Sequence, residues 1–270
     1  MPELPEIHHL AAQMQQALSG RKIVRVTVKQ PKCLNVTSRR FAQLLDGRTI
    51  DRVASRGKWI FAHVKPDVTF LLSLGMGGDV LLHEPGAALP DRYQVRIDFA
   101  GGTCLTIRFW WFGYAHAVPD AKLASHRMTG TLGLNPLDRG EFTPARFRAL
   151  LAGRRGAIKA LLMDQRRIAG IGNVYIQDIL FRARLHPGRP ISKITDDERA
   201  RLFRAITANL AAATRRGGLA FEKDLYNRGG GVRRFLVGYR EGKPCPVCGT
   251  AIRKIRAGAT ASFICPQCQT

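Results

Sequence analysis

The stretch CPVCGTAIRKIRAGATASFICPQC, residues 245–268, constrains the fold of this 270-residue sequence more narrowly than any other. Cys245 and Cys248 form one C-x-x-C pair, and Cys265 and Cys268 form a second. The segment 249–264 between them alternates enough to predict a β-hairpin that brings the four thiolates around one tetrahedral ion. A disulfide pair is the alternative, but the paired spacing and a reducing compartment argue against it. We therefore predict one structural Zn²⁺.

The overall charge of the chain is strongly basic. With 43 Lys and Arg against 20 Asp and Glu, the formal net charge is +23, which favours a polyanionic partner, nucleic acid above all. A membrane is a weaker candidate, because no run approaches the roughly 18 to 20 apolar residues of a spanning helix and the N-terminus lacks a signal-peptide core. We expect a cytoplasmic protein of bacterial type, associated with the nucleoid.

Basic residues are concentrated around the cysteine pairs, where Glu241 is the single acid. A solvated charged face is one reading of such a run. Such an excess of basic over acidic residues on a small module favours the other interpretation, a surface that contacts phosphates. The basic residues are Arg228, Arg233, Arg234, Arg240, Lys243, Arg253, Lys254 and Arg256.

The middle of the chain is predicted to be helical. In residues 195–218, Thr195 and Glu198 form a capping box and Gly217 ends the helix. Shorter stretches of apolar periodicity precede it. One helical face is marked by Leu202, Ile206, Leu210 and Ala213.

The N-terminal half reads as one amphipathic helix ending at Gly20, followed by β-branched and aromatic runs with a hairpin turn at 100–102. Seven or eight strands and one helix predict a β-sandwich or a distorted barrel. The whole is an α+β multidomain protein. We divide it into a β-sandwich domain at 1–137, a helical domain at 138–226 and a zinc finger at 227–270.

Two further short motifs have a structural and a functional reading. In MPELPE, residues 1–6, prolines and acids suit the first turn of a helix. In AGIGNVY, residues 169–175, Gly170 and Gly172 permit close backbone approach and Asn173 can cap a helix or donate to a phosphate. Alone, the second motif is no more than a turn.

Five features, taken in order, resemble the formamidopyrimidine-DNA glycosylase and endonuclease VIII family of bifunctional DNA repair enzymes. They are MPELPE, the lysine of SRGKWIF, the methionine of SLGMGG, AGIGNVY and the cysteine pairs. The resemblance covers essentially the whole chain. It implies an N-terminal β-sandwich, a helix-two-turn-helix domain and a C-terminal zinc finger. It also implies that damaged DNA binds in the cleft between the two halves. We expect the protein to be a monomer.

The resemblance also implies catalytic roles. Removal of Met1 would leave Pro2 as a secondary amine that attacks the sugar C1′, and the resulting iminium is an electron sink that promotes strand cleavage by β,δ-elimination. Glu3 would act as general acid and base, with Glu6 supporting it. Lys58 would bind a phosphate close to the lesion.

Further residues are implied to contact DNA. Asn173 resembles the family's phosphate clamp, and Lys159 the lysine kept in the formamidopyrimidine branch, although ordinary surface charge is the alternative reading of both Lys58 and Lys159. Met76 resembles the wedge that fills the space of the rotated nucleotide, with core packing as its alternative.

Four departures from the family pattern leave specificity open. Trp110 and Trp111, ahead of Phe112, occupy places where the formamidopyrimidine branch has arginines. Thr260 stands where the zinc hairpin has a phosphate-binding arginine, which Lys254 or Arg256 could replace. Asp178 replaces a glutamate, and the lesion-capping loop at 222–235 is short. A noncatalytic zinc-finger protein that binds damaged DNA on the same scaffold is therefore the alternative function.

Overall fold

The computed structural model describes residues Met1–Thr270, and its contacts divide them into two compact units. The N-terminal unit comprises Met1–Thr131 and Arg216–Gly231, and the C-terminal unit comprises Leu132–Arg215 and Val232–Thr270. The segment 216–231, which we call the strap, therefore belongs to the N-terminal unit although it follows the helices of the other unit in sequence.

Two helices belong to the N-terminal unit, α1 at Leu4–Leu18 and α2 at Ser38–Leu45. The prediction of the first is confirmed, with its apolar face buried and its start fixed by a capping box between Glu3 and Glu6. Helix α2 was not predicted. Thr37 caps it by accepting a hydrogen bond from the N–H of Arg40.

The strands of the N-terminal unit form two four-stranded antiparallel sheets, ordered β1-β6-β7-β5 and β2-β3-β4-β8. The predicted hairpin turn at 100–102 joins β6 to β7, and Phe99 donates to the carbonyl of Thr103 over 2.9 Å. The strands are β1 Ile23–Val28, β2 Thr49–Arg56, β3 Trp59–Lys65, β4 Val68–Ser73, β5 Asp79–His83, β6 Val95–Phe99, β7 Cys104–Arg108 and β8 Tyr114–Pro119.

One apolar core joins both sheets to the two helices, which confirms the predicted β-sandwich. Ile60 of the second sheet, Phe99 of the first and Phe41 of α2 are fully buried. Each such side chain contributes roughly 1.5 to 3 kcal/mol relative to an exposed one. Helix α1 packs against β2, so the core fixes the position of the N-terminus of α1.

The C-terminal unit is helical and carries a hairpin near its end. Its elements are α3 Pro144–Leu151, α4 Ile158–Met163, α5 Tyr175–Ala183, α6 Asp196–Arg215, β9 Arg253–Ala257 and β10 Thr260–Ile264. The predicted capping box is confirmed, since Thr195 N–H donates to Glu198 over 2.8 Å and Glu198 N–H donates to the Thr195 hydroxyl over 3.3 Å. None of the helices combines the length and apolarity needed to cross a bilayer.

A group of aromatic rings surrounds the start of β3. Trp59 stacks on Tyr114 with ring centroids 6.0 Å apart, and His116 Nδ1 lies 2.9 Å from His126 Nε2. Burial, aided by the neighbouring His126, lowers the pKa of His116 to about 4. The pKa of His126 is also lowered by burial. Both imidazoles are therefore neutral near pH 7.

The neutral His116 predicts an acid-sensitive fold. An unfolded imidazole has a pKa of about 6.5, so below that pH the unfolded chain takes up a proton that the folded chain refuses until about pH 4. The stability is therefore full above about pH 7 and falls as the pH drops towards 4, and the loss has reached about 2 kcal/mol by pH 5. Urea unfolding at pH 7 and pH 5 should show this loss in the wild type and a smaller loss in His116→Asn. His186→Asn, in the other unit, should behave like the wild type, and equal losses in all three proteins would contradict the assignment.

Candidate active site and zinc centre

The amino end of the chain is organised by the carboxylate of Glu6, which is 3% exposed. Its Oε2 accepts the N–H of Glu3 over 2.8 Å, and its Oε1 accepts the N–H of Leu219 over 3.0 Å. The site lies at the N-terminus of α1, where the helix dipole favours negative charge. Glu6 therefore ties the first residues of the chain to the strap.

Gly218 permits this close approach of the strap to Glu6. Its φ is +83°, and a Cβ atom there would lie 2.4 Å from Glu6 Oε1. Any other residue would both strain the backbone and collide with the carboxylate. The glycine is thus a requirement of the contact between Glu6 and Leu219.

Pro2 and Glu3 are both buried, and a third carboxylate faces the chain terminus from the strap. The amine of Met1 lies 3.3 Å from Glu222 Oε1. The structure therefore brings together the predicted residues Pro2, Glu3 and Glu6, and adds Glu222. Sequence reasoning missed Glu222, because no local pattern links a strap residue to the amino end of the chain.

The strap is held on α1 by further hydrogen bonds. Gln13 Nε2 donates to Asp224 Oδ2 over 2.9 Å, and the N–H of Leu225 donates to Gln13 Oε1 over 3.0 Å. Asp224 Oδ1 also accepts the backbone N–H groups of Tyr226 and Arg228, which closes a turn. Residues 224–228, within the stretch expected to be a short lesion-capping loop, therefore form an ordered turn held against α1.

Lys58 is half-buried and lies in a two-residue turn rather than within a strand, because Arg56 of β2 pairs directly with Trp59 of β3. Gly57, with φ +59°, supplies the left-handed conformation of this turn. The buried Trp59 follows at once and anchors the turn in the aromatic group.

Met76 and the aromatic residues 110–112 lie on two loops that touch. Met76 and Trp111 exchange backbone hydrogen bonds of 2.8 and 3.2 Å, and a Cβ atom at Gly75 would lie 2.0 Å from the Trp111 carbonyl oxygen. Met76 is 41% exposed, which rules out the core-packing alternative. Trp110, Trp111 and Phe112 are 72%, 57% and 62% exposed.

In the C-terminal unit, Gln177 fixes the orientation of Asn173. Gln177 Nε2 donates to the side-chain oxygen of Asn173 over 3.2 Å, and Gln177 Oε1 accepts the N–H of Phe263 in β10 over 3.0 Å. Because the amide oxygen of Asn173 is used in this way, its NH₂ group is the part left to donate elsewhere. Gln177 is a second residue that the sequence reading missed.

Lys159 is 3% exposed, so the surface-charge reading of this residue is wrong. Its ammonium donates to Thr260 Oγ1, Ala261 O and Ser262 Oγ over 2.8, 2.9 and 2.8 Å. Burial lowers its pKa to about 8. All three ammonium hydrogens are therefore engaged by β10, without a carboxylate.

The register of the hairpin separates Lys254 and Arg256 from Thr260. Thr260 pairs with Ala257, whereas Arg256 pairs with Ala261 and Lys254 with Phe263. Residues directly opposite one another share a face of a sheet, and neighbours along a strand alternate. Lys254 and Arg256 are exposed on the face opposite to Thr260, so they do not occupy its position.

Asp178, one of the four departures expected from the sequence, supports the segment that leads into the finger. Its carboxylate accepts the N–H groups of Leu236, Val237 and Gly238 over 2.8, 3.0 and 3.2 Å. The shorter side chain therefore has a complete set of partners, and its role in this structure is to hold the backbone.

The four cysteine sulfurs lie within 4.8 Å of one another. Sulfur separations of 3.9 Å between Cys245 and Cys268 and 3.4 Å between Cys248 and Cys265 agree with the roughly 3.8 Å expected for thiolates around tetrahedral Zn²⁺. The predicted hairpin β9–β10 connects the two pairs. The residues fit one structural zinc ion with no position left for water.

Comparison with known proteins agrees with this geometry. Residues 1–110 match the formamidopyrimidine-DNA glycosylase N-terminal domain, residues 132–223 the H2TH domain of the same enzymes, and residues 242–270 the zinc finger found in FPG and IleRS. The chain is 36% identical to a formamidopyrimidine-DNA glycosylase of Chloroflexus aggregans, over 100% of this chain and 98% of the relative.

Two other comparisons extend over comparable lengths. A formamidopyrimidine-DNA glycosylase of Bacillus cereus is 31% identical over 100% of this chain and 99% of its own. The Lactococcus lactis Fpg in complex with DNA containing N7-benzyl-Fapy-dG superposes with a TM-score of 0.92 at 24% identity, over 99% of both chains. That structural likeness shows the fold.

The zinc site predicts a specific loss on mutation. Cys248→Ser should reduce the metal content from about one zinc per chain to a small fraction, because one thiolate is removed from a site worth roughly 10 to 16 kcal/mol to a finger. Elemental analysis of reduced protein measures the metal, and thermal unfolding reports the loss of the finger. Cys33→Ala, a change at a buried cysteine of the N-terminal unit, is the control and should keep its zinc. Full zinc content in Cys248→Ser would contradict the ligand set.

Proposed function

The chain belongs to the formamidopyrimidine-DNA glycosylase family, and we propose that it excises an oxidised or ring-opened base, preferably a purine, from damaged DNA. Membership of this family makes it a DNA repair glycosylase with lyase activity. The observation that carries the proposal is the cluster at the amino end, where Pro2 and Glu3 are buried and Glu6 holds the backbone of Glu3.

The proposed chemistry begins with removal of Met1, which exposes the secondary amine of Pro2. Its lone pair attacks the sugar C1′, the bond to the damaged base breaks, and the ring oxygen takes a proton as the sugar opens. Glu3 supplies that proton as general acid. The resulting iminium acidifies the C2′ proton, whose loss expels the 3′ phosphate by β-elimination, and δ-elimination follows at the 5′ side.

We propose that backbone phosphates are held by both units. Lys58 in its turn and Asn173, with its amide oriented by Gln177, would each donate to a phosphate oxygen. Lys254 and Arg256, exposed side by side on one face of the hairpin, would add electrostatic contacts. Lys159 would position β10 from beneath, since its hydrogen bonds all end on that strand.

Met76 and the aromatic loop would act on the bases. Met76 would fill the space left by the rotated nucleotide, and Trp110, Trp111 and Phe112 would stack on the base that remains. The two loops are joined by backbone hydrogen bonds, so they would enter the duplex together.

The alternative of a noncatalytic binding protein explains less of the structure. A binding surface needs the exposed lysines, arginines and aromatics, but it has no use for a buried proline beside three carboxylates. We further propose that the protein acts as a monomer on chromosomal DNA in the cytoplasm of a bacterial cell.

Covalent trapping tests the proposed chemistry. Borohydride should reduce the iminium to a stable cross-link between abasic-site DNA and residue 2, in protein whose mass shows that Met1 is absent. Pro2→Gly should trap poorly, because a primary amine on a flexible residue replaces the ring. Glu3→Gln should bind DNA normally and lose base excision by at least about a hundredfold. Pro5→Ala, a neighbouring proline without a free amine, serves as control.

The trapping experiment has clear opposing results. A cross-link that maps to a lysine, or equal trapping by wild type, Pro2→Gly and Glu3→Gln on both base-containing and abasic DNA, would contradict the assignment of nucleophile and acid.

The aromatic loop predicts weak discrimination among bases opposite the lesion. A guanidinium can discriminate by roughly 1 to 3 kcal/mol per good contact, whereas stacking is worth a similar energy for every base. Single-turnover excision with the lesion opposite each of the four bases should therefore vary by less than about tenfold, or about 1.4 kcal/mol. The enzyme should also accept single-stranded DNA. Trp110→Arg or Trp111→Arg should increase the preference for cytosine.

A matched control separates this effect from added charge. Val24→Arg places the same charge at a position of β1 that is 52% exposed, and it should leave the discrimination unchanged. A strong preference of the wild type for cytosine that persists in both tryptophan variants would show that these residues do not face the opposite base.

A further inference from the structure

Glu222 of the strap lies closer to the amino end than its place in the sequence suggests. Its Oε1 is 3.3 Å from the Met1 amine, and its side chain is 11% exposed. Burial raises the pKa of this carboxyl, the Met1 amine lowers it, and the negative charge of Glu3 raises it again. The Met1 amine and Glu3 are thus the charged groups that face Glu222.

The backbone around Glu222 is held in place on both sides. The N–H of Glu222 donates to the carbonyl of Leu219 over 3.2 Å, and Leu219 in turn donates to Glu6. Gly230 also donates to the Leu219 carbonyl over 3.0 Å, and Lys223 pairs with Gly229 across the strap. The carboxylate is therefore presented from an ordered turn rather than from a mobile loop.

Loss of Met1 changes the surroundings of this carboxylate. The amine that pairs with Glu222 leaves, and the new terminal amine is that of Pro2, the residue next along the buried chain. A buried carboxylate without a cationic partner is energetically costly. The Pro2 ammonium is the cation that can replace the Met1 ammonium beside Glu222. Removal of Met1 thus creates a new ammonium, that of the proposed nucleophile, one residue along the chain from the amine that Glu222 contacts.

We propose that Glu222 accepts the proton of the Pro2 ammonium and so generates the nucleophile. This inference rests on the proposed function. In the step, the N–H bond of the ammonium breaks, its proton passes to Glu222 Oε1, and the freed lone pair forms the bond to C1′ as the bond from C1′ to the damaged base, or the C=O π bond of an abasic aldehyde, breaks. At an abasic site the carbinolamine formed then loses water to give the iminium. Attack by Pro2 requires a proton acceptor next to its amine, and Glu222 of the strap is that acceptor.

Neither of the other two carboxylates is as well suited to this step. Both oxygens of Glu6 accept backbone N–H groups, so this carboxylate is already engaged in holding Glu3 and the strap. Glu3 is the proposed proton donor to the sugar ring oxygen. Assigning proton acceptance to Glu222 lets two different carboxylates serve the two proton transfers, one at the amine and one at the ring oxygen.

The proposal has a signature in the pH dependence of trapping. An ionised carboxylate beside an ammonium raises the pKa of that ammonium, so replacing Glu222 by glutamine lowers the pKa of the amine. The rate of trapping rises with pH as the amine loses its proton. The midpoint of this rise should therefore move to lower pH in Glu222→Gln, by about one unit. The maximal rate should also fall, because the neutral amine releases its remaining N–H proton when the bond to C1′ forms, and the variant has no carboxylate to accept it.

The experiment measures single-turnover trapping of abasic-site DNA with cyanoborohydride between about pH 5 and 9, in protein confirmed by mass to lack Met1. We expect the maximal rate of Glu222→Gln to fall at least about tenfold, with binding of an uncleavable abasic analogue within about twofold of the wild type. Glu222→Asp should restore the midpoint. Glu241→Gln, which removes the single acid of the finger region, is the control and should match the wild type.

The results separate this inference from the proposed function. If the wild type forms no covalent complex, or retains Met1 and still traps through another residue, the proposed function fails and the inference with it. If the wild type traps through Pro2 but Glu222→Gln keeps the wild-type midpoint, Glu222 is not the proton acceptor. A uniform loss of rate with an unchanged midpoint would likewise overturn the proposal, since it would mean only that the strap supports the site.

Discussion

The carboxylate of Glu6 is the interaction on which the organisation of the amino end depends. It accepts hydrogen bonds from Glu3, at the start of α1, and from Leu219, in a segment that follows the helices of the other unit. Hydrogen bonds to charged groups contribute about 1.5 to 3 kcal/mol each, and removing the acceptor would leave two buried N–H groups unsatisfied. The same carboxylate thus fixes the direction of the first residues and the position of the strap with Glu222.

Much of this fold could be predicted from the sequence because its signals are local. The cysteine spacing, the capping box at Thr195 and the apolar period of α1 each lie within one element, and the resemblance of short motifs set their order. Helix α2 could not be predicted, because its eight residues form only two helical turns and its three buried positions are separated by basic and polar residues. Strand β5 gives an equally weak signal, because it has only five residues and its buried positions do not alternate with exposed ones.

The candidate site could be predicted only where its residues are contiguous or follow a family motif. Pro2, Glu3 and Glu6 belong to one hexapeptide, whereas Glu222 is brought to the amino end by the strap. No sequence pattern predicts that contact. Gln177 likewise links Asn173 to β10 across 86 residues. Spacing could not decide whether Lys254 or Arg256 takes the place of an arginine at Thr260, because the answer depends on which face of the hairpin each residue occupies.

The aromatic loop combines exposure with strain, which is characteristic of a surface formed in advance for a partner. Phe112 has φ +56°, a conformation that costs a non-glycine residue roughly 1 to 2 kcal/mol, and it is held there by the paired backbones of Met76 and Trp111. Gly113 allows the loop to lie against Phe109. Side chains presented from so constrained a backbone lose little conformational entropy on binding. Flexible arginine side chains in these positions would lose more side-chain entropy on being fixed than the tryptophans, which have only two side-chain torsions.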